Sequence, residues 1–130
     1  RIVESEACYM AASHVTEELL NILKKQLQIM IESKEDVERF VSADIAFHQI
    51  ICEASQNPLL EKSMNKILQE NRKSQQLTRK TFGYHDGIHY HELIIRALEE
   101  QDAKKAKHCM FDHLQNGINR LQNQKKESGA

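Results

Sequence analysis

Turn-forming and sheet-forming features are scarce in this chain. It has one proline, four glycines and no tryptophan among 130 residues. Sustained alternation of apolar and polar residues is absent, which argues against a sheet-rich fold. No apolar run approaches the length of a membrane span, and the first residues lack a signal-peptide pattern. With a net charge of -1, the chain shows no electrostatic preference for nucleic acid or an anionic membrane.

Cysteine is also sparse. The three cysteines, Cys8, Cys52 and Cys109, are odd in number, far apart and never in a C-x-x-C arrangement. All three fall in helical patterns, which favours buried reduced thiols over a disulfide or a thiolate metal site. We therefore expect a reducing compartment, the cytoplasm. The chain begins at Arg1 without an initiator methionine, so we expect a fragment or a processed product that forms one domain, residues 1–130.

Apolar residues recur at helical spacing and predict an all-α fold, an antiparallel bundle of about six helices. Four predicted helices cover about 2–14, 16–32 with Thr16 as N-cap, 34–55, and 58–79 with Asn57 as N-cap. A fifth starts at Asp86 or Gly87 and ends near residue 100, and Asp102 caps the last one, to about 123. The pattern also predicts a loop over 80–86, a solvated helix end over the polar run 69–80, and a frayed polar tail over 122–130.

One stretch of the third predicted helix, DIAFHQIICEASQN, combines the apolar spacing of a buried helix with two polar side chains. Asp44 and His48 are four residues apart in it. Since a helical turn takes about 3.6 residues, both side chains lie on one face. Burying such a pair without a partner costs several kcal/mol.

The seven histidines separate by their positions on the helical wheel. His91 and His113 lie in the apolar stripes of the fifth and sixth predicted helices, whereas His89 and His108 lie on polar faces. Three imidazoles and one carboxylate from three helices are therefore predicted to face the interior. They are Asp44, His48, His91 and His113.

Singly, each of these groups has an ordinary structural explanation, such as a core histidine bonded to a carbonyl or an Asp–His ion pair. A divalent ion such as zinc, nickel, manganese or iron would satisfy all four at once. A metalloenzyme is an alternative, because an open metal site can activate water. No further buried base or nucleophile accompanies the four ligands, however. A third interpretation is a dimerisation module whose polar cluster is satisfied by water.

Ordered motifs along the chain carry a family resemblance. The first is an Arg and a Glu three apart followed by small residues, at Arg1, Glu4, Ala7, Ala11 and Ala12. The second is D-x-x-F-H followed by A-S-x-N, at Asp44, Phe47, His48, Ala54, Ser55 and Asn57. The third begins at His91, Ile94, Ala97 and Leu98 and continues as Asp102, Ala106, Met110, His113 and Leu114. In these motifs the sequence resembles the C-terminal effector domain (FCD domain) of GntR-type bacterial transcription regulators, FadR branch.

The resemblance implies an effector-binding and oligomerisation domain rather than an enzyme, with no catalytic residue. The composition, not the resemblance, predicts that there is no membrane partner. The ligands of metal-binding family members match Asp44, His48, His91 and His113, and this full set implies a small carboxylic acid as effector. DNA would be contacted only through an N-terminal winged helix-turn-helix, which this chain lacks. A homodimer is expected, because a palindromic operator requires two-fold symmetry.

Two further residues are candidates for binding the effector. Arg1 is expected to give the acid a bidentate contact, and its alternative is a solvated terminal residue. Asn57 is the second candidate, and its alternative is a helix N-cap and nothing more.

Overall fold

The computed structural model describes residues 2–128, which form seven α-helices and one 3-10 turn without any strand. The all-α prediction is confirmed. The helices are α1 (Ile2–Ala11), α2 (Glu17–Glu32), α3 (Val37–Ala54), α4 (Pro58–Glu70), α5 (Arg72–Phe82), α6 (His85–Glu99) and α7 (Ala103–Ser128), with the 3-10 turn at Ala12–His14. None of the helices between residues 2 and 128 has the length and apolar character needed to span a bilayer.

Side-chain caps define where several helices begin. The Thr16 hydroxyl accepts a hydrogen bond from the Leu19 amide at 3.0 Å. The Asn57 side chain accepts from the backbone amides of Leu59 and Leu60 at 3.2 and 3.3 Å. The caps predicted at Thr16 and Asn57 are therefore confirmed.

Two predicted boundaries were wrong. The predicted helix over 58–79 is two helices, because the backbone of Asn71 leaves helical geometry at φ -91 and ψ 5. This break lets α5 turn back against α3, where the Arg72 guanidinium donates to the Ser42 hydroxyl at 2.9 Å. The loop predicted over 80–86 shrinks to Gly83 and Tyr84. Gly83 ends α5 at a φ of 79, a conformation that side chains other than glycine rarely adopt.

Both ends of the chain also differ from the predicted pattern. The first helix stops at Ala11 and continues as the 3-10 turn, and α7 remains helical to Ser128 rather than fraying after residue 122. Residues 129 and 130 lie outside the described range. Despite these differences, the four predicted ligands lie within helices, on α3, α6 and α7.

Helix α3 is central to the bundle, since α1, α2, α4 and α5 all pack against it. Pairs joined by short connections, such as α2 with α3 and α6 with α7, pack side by side and therefore run antiparallel. Fully buried Phe47 and Ile51 of α3 meet Leu23 of α2, Ile94 of α6 and Met110 of α7 in the main core. The three cysteines are buried and unpaired, as predicted. The ligand-bearing faces of α3, α6 and α7 thus converge inside the bundle.

Candidate metal centre

The four predicted ligands meet at one point. Asp44 and His48 lie one turn apart on α3, His91 comes from the buried stripe of α6, and His113 from α7. Each offers one nitrogen or oxygen atom, and these four atoms lie within 4.8 Å of one another. Asp44, His48 and His91 are buried, and His91 is fully so. In contrast, His89 and His108 are exposed, as their wheel positions predicted.

Three of the four atoms form a nearly equilateral triangle. Asp44 Oδ1 lies 3.1 Å from His48 Nε2 and 3.2 Å from His91 Nε2, and the two nitrogens are 3.3 Å apart. Two ligands bound to one ion at about 2.1 Å lie about 3.0 to 3.4 Å apart, depending on the coordination geometry. The triangle therefore has the dimensions of a ligand set around a single ion.

One of the three atoms also lacks an aligned hydrogen-bond partner. Although the distances are short, Asp44 Oδ1 makes no hydrogen bond of standard geometry and is fully shielded from solvent. A buried carboxylate oxygen without an aligned donor is costly, because it has lost water and gained no full replacement. A cation held by Asp44, His48, His91 and His113 would supply the missing partner.

The imidazoles differ in protonation because their surroundings differ. Burial lowers the pKa of His91 and of His113, so both are held neutral, the form that binds metal. Burial also lowers the pKa of His48, but the charge of Glu4 and the short contacts with Asp44 and Glu4 outweigh it and raise that pKa to about 10.

Two carboxylates are ionised beside these imidazoles. Burial raises the pKa of Asp44, yet the short contacts with His48 and His91 and the charges of these imidazoles outweigh burial and hold that pKa well below the usual range. Burial likewise raises the pKa of Glu4, but the charge and the short contact of His48 outweigh burial and lower that pKa overall. With neutral imidazoles the site therefore has two negative charges, which a divalent cation would balance.

A small cavity adjoins the cluster. Its volume is about 160 Å³. Its walls include three side chains of the cluster, a polar face of α5 and four further residues. The cluster contributes Asp44, His48 and His113, and α5 contributes Gln75, Thr78 and Arg79. The remaining lining residues are Glu4, Leu68, Leu114 and Gly117. A larger surface groove of about 440 Å³ lies between the 3-10 turn, α2 and α3 and contains none of the four clustered residues. The smaller cavity is the better candidate for ligand binding, because three residues of the cluster line it and none lines the larger groove.

Arg79 is the cationic side chain of this cavity wall. Its guanidinium lies over the Phe40 ring, 5.8 Å from the centroid. Gly87 gives it room, because a Cβ atom at that position would stand 3.1 Å from Arg79 Nη1. The guanidinium is thus fixed beside the cluster by an aromatic face on one side and a glycine on the other.

Neither of the two predicted effector contacts is observed at this cavity among residues 2–128. Arg1 lies outside the described residues. Asn57 is the N-cap of α4, and it is not among the residues that line the cavity beside the cluster. The effector roles of Arg1 and Asn57 remain predictions.

Sequence reasoning missed two residues at this site. Glu4 was noticed only as part of a motif, although it shares the buried stripe of α1 with Ala7, Cys8 and Ala11. Arg79 fell within the polar run that was predicted to be a solvated helix end. That prediction was wrong for one face: Gln75, Thr78 and Arg79 are half-buried at i, i+3 and i+4.

The fold and the cluster define an all-α ligand-binding domain with a candidate metal centre on three helices. Residues 1–116 match the FCD domain family, and the chain belongs to that family. The chain is 28% identical over 116 residues to the HTH-type transcriptional repressor NanR of Salmonella newport (strain SL254), covering 85% of this chain and 44% of the repressor. NanR of Salmonella arizonae is likewise 28% identical, over 85% of this chain and 43% of that repressor.

A solved structure has the same fold. The chain named E. coli McbR/YncC matches with a TM-score of 0.82 at 20% identity, over 94% of this chain and 63% of that one. This chain spans less than half the length of the curated repressors it matches. The chain therefore corresponds to only a part of those repressors.

Proposed function

We propose that this domain is the metal-dependent sensor of a bacterial transcription regulator and that its signal is a small carboxylic acid. Binding of the acid would alter DNA binding by an N-terminal winged helix-turn-helix in the whole protein. The domain would act as a homodimer in the cytoplasm, without membrane contact. Family membership supports the regulator assignment, and the triangle formed by Asp44, His48 and His91 carries the metal assignment.

The donor set limits the choice of ion. Three imidazole nitrogens and one carboxylate oxygen suit zinc, nickel, manganese or iron(II), whereas no thiolate is present in the cluster. Four protein ligands leave about two positions open on an octahedral ion. A 2-hydroxy or 2-oxo acid has two adjacent oxygens and could occupy both positions.

The adjoining cavity supports a small acid rather than a long-chain ligand. A volume of about 160 Å³ is far below the ~300–1,000 Å³ of drug-sized ligand pockets. The metal would neutralise the two buried carboxylates, and Arg79 would supply the additional positive charge that an anionic ligand requires. Gln75 and Thr78 offer neutral polar groups on the same wall of the cavity.

Signal transmission follows from where the ligands originate. A bound ion would be held by side chains of α3, α6 and α7, and the wall of the adjoining cavity adds α5. An acid bridging the ion and Arg79 would favour bundle conformations in which α5 is held close to the ligand-bearing helices. Since a ligand shifts populations only through such differential contacts, α5 is the element that we expect to respond.

The two other interpretations make different predictions. A metalloenzyme would consume acids at the site, whereas the regulator binds them without turnover. A water-satisfied dimerisation module would contain no metal. The regulator is favoured because the similar proteins NanR of two Salmonella strains are named transcriptional repressors.

Metal analysis of protein purified without chelators tests the proposal. We expect about one divalent ion per chain, lost in a His48→Ala, His91→Ala double variant because two of three nitrogen donors are removed. A His89→Ala, His108→Ala variant is the matched control and should retain the ion, as both side chains are exposed. Affinity should fall as pH is lowered, because protons compete for the imidazole nitrogens. Wild-type protein without metal after incubation with each candidate ion would refute the proposal.

A further inference from the structure

A buried carboxylate outside the predicted ligand set contacts one of its histidines. Glu4, on α1, is only 6% exposed. Its Oε1 atom lies 3.0 Å from Nδ1 of His48. Burying an ionised carboxylate is costly unless the group has a charged or hydrogen-bonding partner, so this contact requires an explanation.

The side of the imidazole that Glu4 contacts determines its role. His48 uses Nε2 toward Asp44 and His91, and Nδ1 lies on the opposite side of the ring. Glu4 is accordingly not part of the group of four atoms that converge within 4.8 Å. Its carboxylate lies beside Nδ1 at ion-pair distance, although the two atoms do not form a hydrogen bond of standard geometry, and it leaves Nε2 free for the centre.

We infer that Glu4 is a positioning residue that orients His48 and fixes its tautomer for metal binding. This inference rests on the proposed metal site. A carboxylate behind a metal-bound imidazole keeps the ring in one orientation and makes its other nitrogen a stronger donor. Loss of such a partner typically weakens metal affinity about 10- to 100-fold.

The contact also connects another helix to the metal centre. Helix α1 contributes none of the four candidate ligands, yet it packs against both α3 and α7, which contribute three of them. Through Glu4, the position of α1 becomes coupled to the orientation of a ligand on α3.

The test compares zinc affinity in three variants of the full chain, measured by competition with a chromogenic chelator. Glu4→Gln keeps an oxygen that can accept the Nδ1 proton but loses the charge, and Glu4→Ala loses both. We expect a graded loss, with Glu4→Ala binding zinc more weakly than Glu4→Gln and both more weakly than wild type. Glu6→Gln is the control, because it removes a carboxylate of the same helix that is 43% exposed and paired with Lys107.

A spectroscopic measurement on the wild type keeps the test valid if a variant folds poorly. In nitrogen-15 NMR of zinc-loaded protein, we expect His48 to carry its proton on Nδ1 and to show a metal-bound Nε2. A His48 that binds zinc through Nδ1 would overturn the inference, as would wild-type zinc affinity in Glu4→Ala. Wild-type protein that binds no metal would overturn the proposed function as well, so the two failures are distinguishable.

Discussion

At the scale of single residues, the site combines groups that are unfavourable in a bundle core unless they are satisfied together. Asp44 and Glu4 are ionised and buried, while His91 and His113 are kept neutral. Removing one partner from such a set leaves an uncompensated charge, which costs more than the pair contributes. The cluster is therefore expected to respond to substitution as a unit.

Arg79 provides the residue-scale prediction for the acid. In metal-loaded protein, Arg79→Gln should weaken binding of a citrate- or lactate-like acid about 10-fold or more, because a charged hydrogen bond contributes about 1.5–3 kcal/mol. Isothermal titration calorimetry measures this, and metal content should remain at the wild-type level because Arg79 is not a metal ligand.

Lys80→Gln is the matched control for Arg79→Gln. It removes the same charge from the next position of α5, where the side chain is exposed. Equal weakening in the two variants would indicate long-range electrostatics and would contradict a specific contact by Arg79.

At the scale of helices, local signals explain where most elements begin, and tertiary contacts explain the rest. Thr16 and Asn57 were predictable as caps because the capping bond involves residues only two or three positions away. The break at Asn71 was not, since a continuous helix satisfies the local pattern equally well. What favours the break is the packing of α5 on α3, including the Arg72–Ser42 hydrogen bond.

In the candidate site, too, some residues were predictable from local sequence and others depend on tertiary contacts. The ligands on α3, α6 and α7 were predictable because each interrupts an apolar stripe at helical spacing. Glu4 and Arg79 obtain their roles from side chains distant in sequence, His48 for the first and Phe40 for the second. Single-helix periodicity contains no information on such pairings.

Asn57 provides the helix-scale prediction. Asn57→Ala should destabilise the domain by about 1 kcal/mol, because α4 loses its N-cap acceptor. Asn57→Asp retains an acceptor oxygen and should keep near wild-type stability. Thermal unfolding measures both, with an expected drop of a few degrees for the alanine variant alone.

The same pair of variants separates the two roles of Asn57. If Asn57 only caps α4, then Asn57→Asp binds the acid with wild-type affinity. Weakened acid binding in a stable Asn57→Asp variant would instead support the predicted effector contact.

At the scale of the whole molecule, the domain is expected to work as a pair. A regulator that reads a palindromic operator needs two-fold symmetry, and this chain spans only 44% of the NanR repressor it resembles. Large apolar side chains such as Leu59 and Leu77 are 74% and 65% exposed on α4 and α5.

Sedimentation velocity at tens of micromolar tests the association. We expect a dimer in both metal-loaded and metal-free protein, because the exposed apolar side chains lie outside the ligand cluster. A monomer across this concentration range would contradict the proposed homodimer.

The central claim is that a small carboxylic acid binds through the metal, and thermal stability with and without the ion tests it most directly. An acid at about 100 times its dissociation constant stabilises the native state by about 2.7 kcal/mol and should raise Tm by several degrees. Lactate-, citrate- and dicarboxylate-like acids are added to metal-loaded and to chelator-stripped protein. The account predicts that at least one acid raises Tm in the loaded form and leaves the stripped form unchanged, whereas equal stabilisation of both forms would contradict it.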